Sequence, residues 1–260
     1  MSATSEVMVG RSGPVMRVTF NRPNSLNAFT PQMLTTATEA VEAAGRDRSV
    51  RVIVVTGAGR AFSSGADLSA RADPDYQGGP ATLKGVNGLV RALRTVPRPV
   101  IAAVNGPAAG GGCSVSLAAD FIVARESAYF LLAFANVGLM PDGGATALVP
   151  AAVGRVRATR MAMLAERIPA PLAAEWGLIT QAVADDSFDS AVDSLTTRLA
   201  KGPTAAYAQM KHALSAAEMS QLDRAFAVET AGQSVLTGTA DFAEGLAAFV
   251  QKRTPDFSGS

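Results

Sequence analysis

Residues 99–119 carry no charged side chain. An uncharged run of that length has two stable solutions, a helix spanning a bilayer or a buried strand followed by a break and a helix start. Pro99, Pro107 and the triplet Gly110-Gly111-Gly112 lie inside it. Prolines and clustered glycines interrupt a continuous helix, so the run reads as strand, loop and helix start in a layered α/β fold, and no membrane span is expected.

A chain of 260 residues is long enough for one large domain, or a domain with an appendage. With 48% hydrophobic and 17% charged residues it can bury a sizeable core and is not disordered. Lys+Arg 23 against Asp+Glu 22 gives a net charge of +1. No global field attracts nucleic acid or an anionic membrane, so an anionic ligand must be bound locally. Cys113 is the single cysteine and cannot close an internal disulfide, and residues 1–10 carry no basic-then-apolar signal pattern. A reducing, cytoplasmic setting is expected.

Valine-rich segments ending in turn residues predict strands at 15–20, 50–55, 100–104 and 121–124, with a strand-like stretch at 179–183. Between the first two, Thr30 as cap, Pro31 in the first turn and Met33, Leu34, Ala37 and Val41 on one face predict a helix. Residues 72–81 have turn composition and read as an exposed, mobile loop, and that loop around Tyr76, together with the later helices, is expected to form the far wall of a ligand pocket. Leu83, Val86, Val90 and Leu93 predict a helix ended by Pro97 and Pro99. Helices follow at 145–153, 156–165 and 171–176, then at 203–214, 218–235 and 240–252. A soft boundary at Lys201-Gly202-Pro203 divides residues 1–200 from a helical region, 201–260. Cys113, Met161, Met163 and Trp176 read as core packing, and no fixed-period repeat is evident.

Several familiar signatures fail. Gly57-Ala58-Gly59-Arg60-Ala61-Phe62 places Phe62 where a dinucleotide fingerprint needs a small residue, and no phosphate-binding P-loop occurs. His212 is the only histidine and builds no metal site with Cys113, so no metal is expected. Ala61-Phe62-Ser63-Ser64-Gly65 is one substitution from a nucleophile elbow, but residues 56–62 separate Ser63 from the preceding strand, and His212 reads as a surface residue.

Two loops remain, Ala61-Phe62-Ser63-Ser64-Gly65-Ala66-Asp67-Leu68 and Ile101-Ala102-Ala103-Val104-Asn105-Gly106-Pro107-Ala108-Ala109-Gly110-Gly111-Gly112-Cys113. Each follows a buried strand and ends at a helix start, which aims unpaired backbone N–H groups at one point and suits a developing oxyanion. The pair resembles the motifs of the crotonase superfamily, the enoyl-CoA hydratase/isomerase family. The likeness extends through Asn21-Arg22-Pro23, Leu26-Asn27-Ala28, the stretch from Gly138 to Gly144, Ala174-Glu175-Trp176-Gly177-Leu178 and Phe249-Val250-Gln251-Lys252-Arg253. It covers nearly the whole chain and is more specific to the superfamily than to one reaction.

The resemblance implies an α/β spiral of ββα units with a C-terminal helical trimerisation region, assembled as a homotrimer or dimer of trimers. It implies an acyl-CoA thioester substrate and no separate cofactor, CoA being part of the substrate. At the matching positions the amides of Ala66 and Gly111 form the oxyanion hole. Arg22, Ala28, Ser64 and Asp67 line the CoA moiety, and Phe249 and Lys252 approach it from a neighbouring subunit. Family hydratases carry glutamates at the positions held here by Ser114 and Phe134, so the two-glutamate hydration site is absent. Asp142 coincides with the acid of members that move double bonds. The resemblance therefore implies a Δ3 to Δ2 enoyl-CoA isomerase with Asp142 as the proton shuttle. The alternatives are an enoyl-CoA hydratase and a non-catalytic acyl-CoA binding protein, and Asp142 as a mere helix cap is the structural alternative for that residue.

Overall fold

A six-stranded sheet runs in the order β1 (Val7–Ser12), β2 (Val15–Phe20), β3 (Val52–Gly57), β4 (Val100–Val104), β6 (Phe121–Arg125), β9 (Gln181–Val183) in the computed structural model, which describes residues 5–68 and 78–260. β1 and β2 are antiparallel across a two-residue turn, and every other neighbour is parallel. Parallel neighbours need crossover connections. α1 (Pro31–Arg46), α2 (Gly78–Thr95) and α3 (Gly111–Leu117) lie in the first three of them. A smaller sheet holds β5 (Ala108–Ala109), β7 (Tyr129–Leu131) and β8 (Ile168–Pro169), and single bridges pair Ser63 with Ala108 and Phe29 with Ala66. Each turn of the chain thus leaves a strand in the large sheet, adds a strand or bridge to the small one, and exits through a helix or helical turn. This is the ββα spiral that the motifs imply.

Side chains alternate faces along a strand, so wholly buried strands need cover on both sides. Val100, Ala102 and Val104 enter the larger core with Ile53 and Val55, while Ile101 and Ala103 join Val52 and Val54 against α6 (Phe188–Lys201). The expected strands at 15–20 and 100–104 coincide with β2 and β4, and the uncharged run 99–119 resolves into β4, β5 and α3. Among the described residues no helix is long and apolar enough to cross a membrane. α1 starts as predicted, with Thr30 Oγ1 accepting from Met33 N at 3.1 Å.

Several expectations need correction. Residues 78–81, read as part of a loop, open α2, where Pro80 falls in the first turn and its missing N–H is harmless. Residues 72–77, with Tyr76, lie outside the described residues. α4 (Ala145–Leu164) contains the expected break, a non-helical Gly154, and α5 (Ala170–Glu175) follows. The predicted helices at 203–214 and 218–235 are one helix, α7 (Thr204–Leu236), because Ser215 and Ala216 offer no breaker between them. α8 (Ala240–Gln251) closes the chain. Met163 is 74% exposed on the outer side of α4, whereas Met161, Trp176 and Cys113 are buried.

α7 is fastened by a residue that composition alone would place at the surface. Lys211 is buried, and its ammonium donates to Leu93 O (2.6 Å), Arg98 O (3.2 Å) and Asp120 Oδ2 (2.7 Å). Burial pulls its pKa down, and the adjacent Asp120 carboxylate opposes that shift.

Candidate active site

The loop after β3 is pinned by Asn27. This fully buried residue and Leu26 both adopt left-handed backbone, φ 55 and 50. Asn27 Oδ1 accepts from Arg22 N (2.9 Å), and Nδ2 donates to Ala58 O (2.9 Å) and Ala61 O (2.8 Å). Ser63 Oγ donates to Asn27 O (2.8 Å) and accepts from Gly65 N (3.1 Å). Ser63 is therefore a buried loop strut, and His212 is exposed on α7, so no nucleophile elbow forms. Phe29 N donates to Gly65 O (2.7 Å), and Asp67 N to Phe29 O (3.3 Å). These bonds flank Ala66.

The second loop is fixed by Gly110 N donating to Leu131 O (2.9 Å), after which Gly111 opens α3. The amides of Ala66 and Gly111 have no hydrogen-bond partner among the described residues. The loops touch at Gly65, whose φ is +87. A Cβ there would lie 2.8 Å from Ala109 O and 3.0 Å from Gly111 N.

Ala66 and Gly111 line a cavity of about 70 Å³ together with Val86, Phe134, Leu139 and Asp142. Leu83 and Asp142 also line an adjoining chamber of about 620 Å³, walled by residues of α2, α7 and α8. Asp142 is the only carboxylate among the described residues that line either space. Phe134, buried in the helical turn Ala133–Val137, supplies an apolar wall.

Three residues, Ser114, Gln233 and Glu229, hold the segment carrying Asp142. Ser114 Oγ donates to Asp142 O at 2.7 Å, so the serine braces the backbone of the acid. Gln233 Nε2 donates to Met140 O and to Asp142 Oδ2, each at 2.9 Å. Glu229, fully buried, accepts from Gly144 N (2.8 Å), Thr146 N (3.0 Å) and Thr146 Oγ1 (2.6 Å). The free amides at the start of α4 thus go to Glu229 across the fold. Gly144 (φ +79) packs so tightly on α7 that a Cβ would fall 2.3 Å from Leu222 Cδ1. Leu222, Phe226, Glu229 and Gln233 form one seam at helical spacing. Glu229 and Gln233 were not singled out from the sequence, although two polar residues continuing an apolar helical stripe are the signal that marks them.

Of the residues matched to the CoA moiety, Arg22 is held most firmly. Its guanidinium donates to Ala28 O (2.7 Å) and Asp67 Oδ2 (3.0 Å) and pairs with Glu6 (3.1 Å). Ala28 is buried, and Ser64 lines the small cavity beside Ala66. Phe249 and Lys252, at the exposed end of α8, line neither space. Among the described residues no group of three or more His, Cys, Asp or Glu is placed to hold a metal.

Residues 10–260 match the family model for enoyl-CoA hydratase/isomerase. The 1,2-epoxyphenylacetyl-CoA isomerase of Escherichia coli (strain K12) is 40% identical over 252 residues, covering 94% of this chain and 95% of that protein. The 2,3-dehydroadipyl-CoA hydratase of the same strain is 36% identical over 256 residues, covering 98% and 99%. The crystal structure of an enoyl-CoA hydratase from Mycobacterium avium subsp. paratuberculosis K-10 superposes with a TM-score of 0.91 at 47% identity, covering 98% of this chain and 99% of that one.

Proposed function

Because the chain belongs to the enoyl-CoA hydratase/isomerase family of enzymes acting on acyl-CoA thioesters, we propose that it moves a double bond from C3 to C2 of an enoyl-CoA, with Asp142 carrying the proton. The reading rests on one observation. Asp142 is the only carboxylate among the described residues lining the space that Ala66 and Gly111 share, and Glu229 performs the helix-capping role that would otherwise explain an acid there.

In the proposed reaction the thioester oxygen accepts from the amides of Ala66 and Gly111. Asp142 removes a proton from C2, and the electron pair passes to that oxygen as a dienolate. One well-aimed donor to such an oxyanion is worth about 2.7–4 kcal/mol. Asp142 then returns the proton to C4, the electrons collapse into a C2–C3 double bond, and the carboxylate is regenerated. Water would divert the intermediate. Phe134 lines the cavity, and Ser114, whose hydroxyl is committed to Asp142 O, supplies no second carboxylate to activate water.

Arg22, Ala28, Ser64 and Asp67 serve the CoA moiety in this reading, and no cofactor beyond CoA takes part. Phe249 and Lys252 reach the CoA of a neighbouring subunit in a homotrimer or dimer of trimers. The apolar side chains left exposed on α4 and α7, among them Met163, Leu214, Val228 and Val235, support such an assembly. Residues 1–200 form the core, and 201–260 the oligomerisation region, which also contributes Glu229 and Gln233.

Asp142→Asn is the test. Loss of a general acid–base typically lowers turnover 10²- to 10⁴-fold. Conversion of a 3-enoyl-CoA to its conjugated isomer should fall by that much while acyl-CoA binding stays within about twofold. Unchanged turnover rejects the role. Loss of the conjugated absorbance of crotonyl-CoA, with water added at C3, would identify a hydratase instead, and binding without turnover of either substrate a non-catalytic protein.

A further inference from the structure

We infer that Gln233, in the C-terminal helical region, is a positioning residue that fixes the orientation of the Asp142 carboxylate and favours its ionised form. The inference rests on the proposed function above for the role of Asp142, and on geometry for its own part.

The Gln233 amide stands between two acceptors. Nε2 donates to Met140 O and Asp142 Oδ2, both at 2.9 Å, on either side of Pro141. Exchanging the amide's nitrogen and oxygen would set oxygen against two oxygens, so these contacts determine the assignment. The residue is only 6% exposed, and its Oε1 is buried with no hydrogen-bond partner among the described residues. An unpaired buried acceptor is unfavourable, and an apolar side chain of the same length would avoid it. What the amide supplies in return is the N–H that faces the carboxylate.

The support behind Gln233 is rigid. One helical turn earlier on the same face, Glu229 accepts from the amides of Gly144 and Thr146. α7 therefore grips the segment 140–146 at both ends, donating on the N-terminal side of Asp142 and accepting on the C-terminal side. A hydrogen bond donated to a carboxylate stabilises its charged form. Among the described residues, the other charged groups around this segment are Lys84 of α2, which lines the adjoining chamber, Glu229 of α7, and Asp241 at the start of α8, which packs on Gly138. α3 contributes Ser114 and no charge.

The experiment compares native enzyme, Gln233→Leu and Gln233→Glu with a short 3-enoyl-CoA across pH, with thermal melts in parallel and Asp142→Asn as the reference. Gln233→Leu should lower kcat about tenfold near neutrality, leave KM within about twofold and move the acid limb of the kcat profile up by about one pH unit. Gln233→Glu, nearly isosteric and placing a second carboxylate beside the first, should move the limb further in the same direction. If Gln233→Leu does not fold, Gln233→Glu carries the comparison. An acid limb that stays in place, whether kcat falls or not, overturns the inference while Asp142→Asn remains inactive. If Asp142→Asn retains native turnover, the proton-carrier reading fails first and the positioning role falls with it.

Discussion

Gly65→Ala tests whether the two loop amides act as one device. Gly65 has φ +87, and a side chain in left-handed backbone costs roughly 1–2 kcal/mol. The new methyl would meet Ala109 O at 2.8 Å and Gly111 N at 3.0 Å, both main-chain atoms, where ordinary contact begins at 3.4 Å. Neither can swing aside as a side chain does, so the loop carrying Ala66 and the loop carrying Gly111 must part by several tenths of an ångström. Oxyanion donors work over a window of about 2.7–3.1 Å, and losing one is worth about 2.7–4 kcal/mol, or 10²–10³ in kcat. A partial retreat should therefore lower kcat about 10²-fold. The assay follows the conjugated thioester formed from a 3-enoyl-CoA, with a thermal melt to confirm folding. Gly13→Ala is the control. It has φ +55 in the β1–β2 turn and open space around its Cβ, so it shares the backbone penalty without the clash. A folded Gly65→Ala enzyme with kcat within threefold of native, or an equal loss in Gly13→Ala, refutes the reasoning.

Two further outcomes follow from the contacts described. Glu229→Gln replaces a buried carboxylate that accepts three hydrogen bonds and should lower unfolding stability by about 2 kcal/mol, read as a shifted denaturant midpoint; an unchanged midpoint contradicts the capping role. The carboxyl of Glu244 is held down to about 2 by hydrogen bonds from Arg253 and from the Asp256 amide, against an ordinary 4.5. Because its pKa is depressed on folding, its contribution is fully present above about pH 4.5 and lost as pH falls toward 2. The protection factor of the Asp256 amide, corrected for the intrinsic pH dependence of exchange, should fall as pH drops through that window, and constant protection to below pH 2 would sink the assignment.

The parts of this fold visible in the sequence are those where local preference and tertiary environment agree. Val15–Phe20 and Val100–Val104 are strand-forming runs placed in a sheet, and Thr30-Pro31 pairs a preferred cap with a preferred first-turn residue at the start of α1. β1 is not legible in the sequence because it is an edge strand exposed from Met8 to Ser12, with adjacent Met8 and Val9 leaving no apolar alternation to read. β5 and β8 are two residues long, defined by their partners more than by their own composition. In the candidate site, Ala66, Gly111 and Asp142 sit in contiguous motifs and Phe134 lies four residues before one, and the fold brings all four to one cavity. Glu229 and Gln233 come from a helix 83–93 residues further along the chain, and only the packing of α7 on residues 140–146 reveals what they hold. Ser114 was noticed for the carboxylate it lacks. Its hydroxyl proves to brace the acid that is present.

Cys113 lies two residues beyond Gly111, wholly enclosed, and burial pushes its thiol up to about 12. Alkylating agents and peroxides attack the thiolate, which at that value is scarcely populated in the folded chain. This buried sulfur beside the glycine triplet is thus chemically silent. The thioethers open to oxidants are instead those of the exposed Met8, Met163 and Met210.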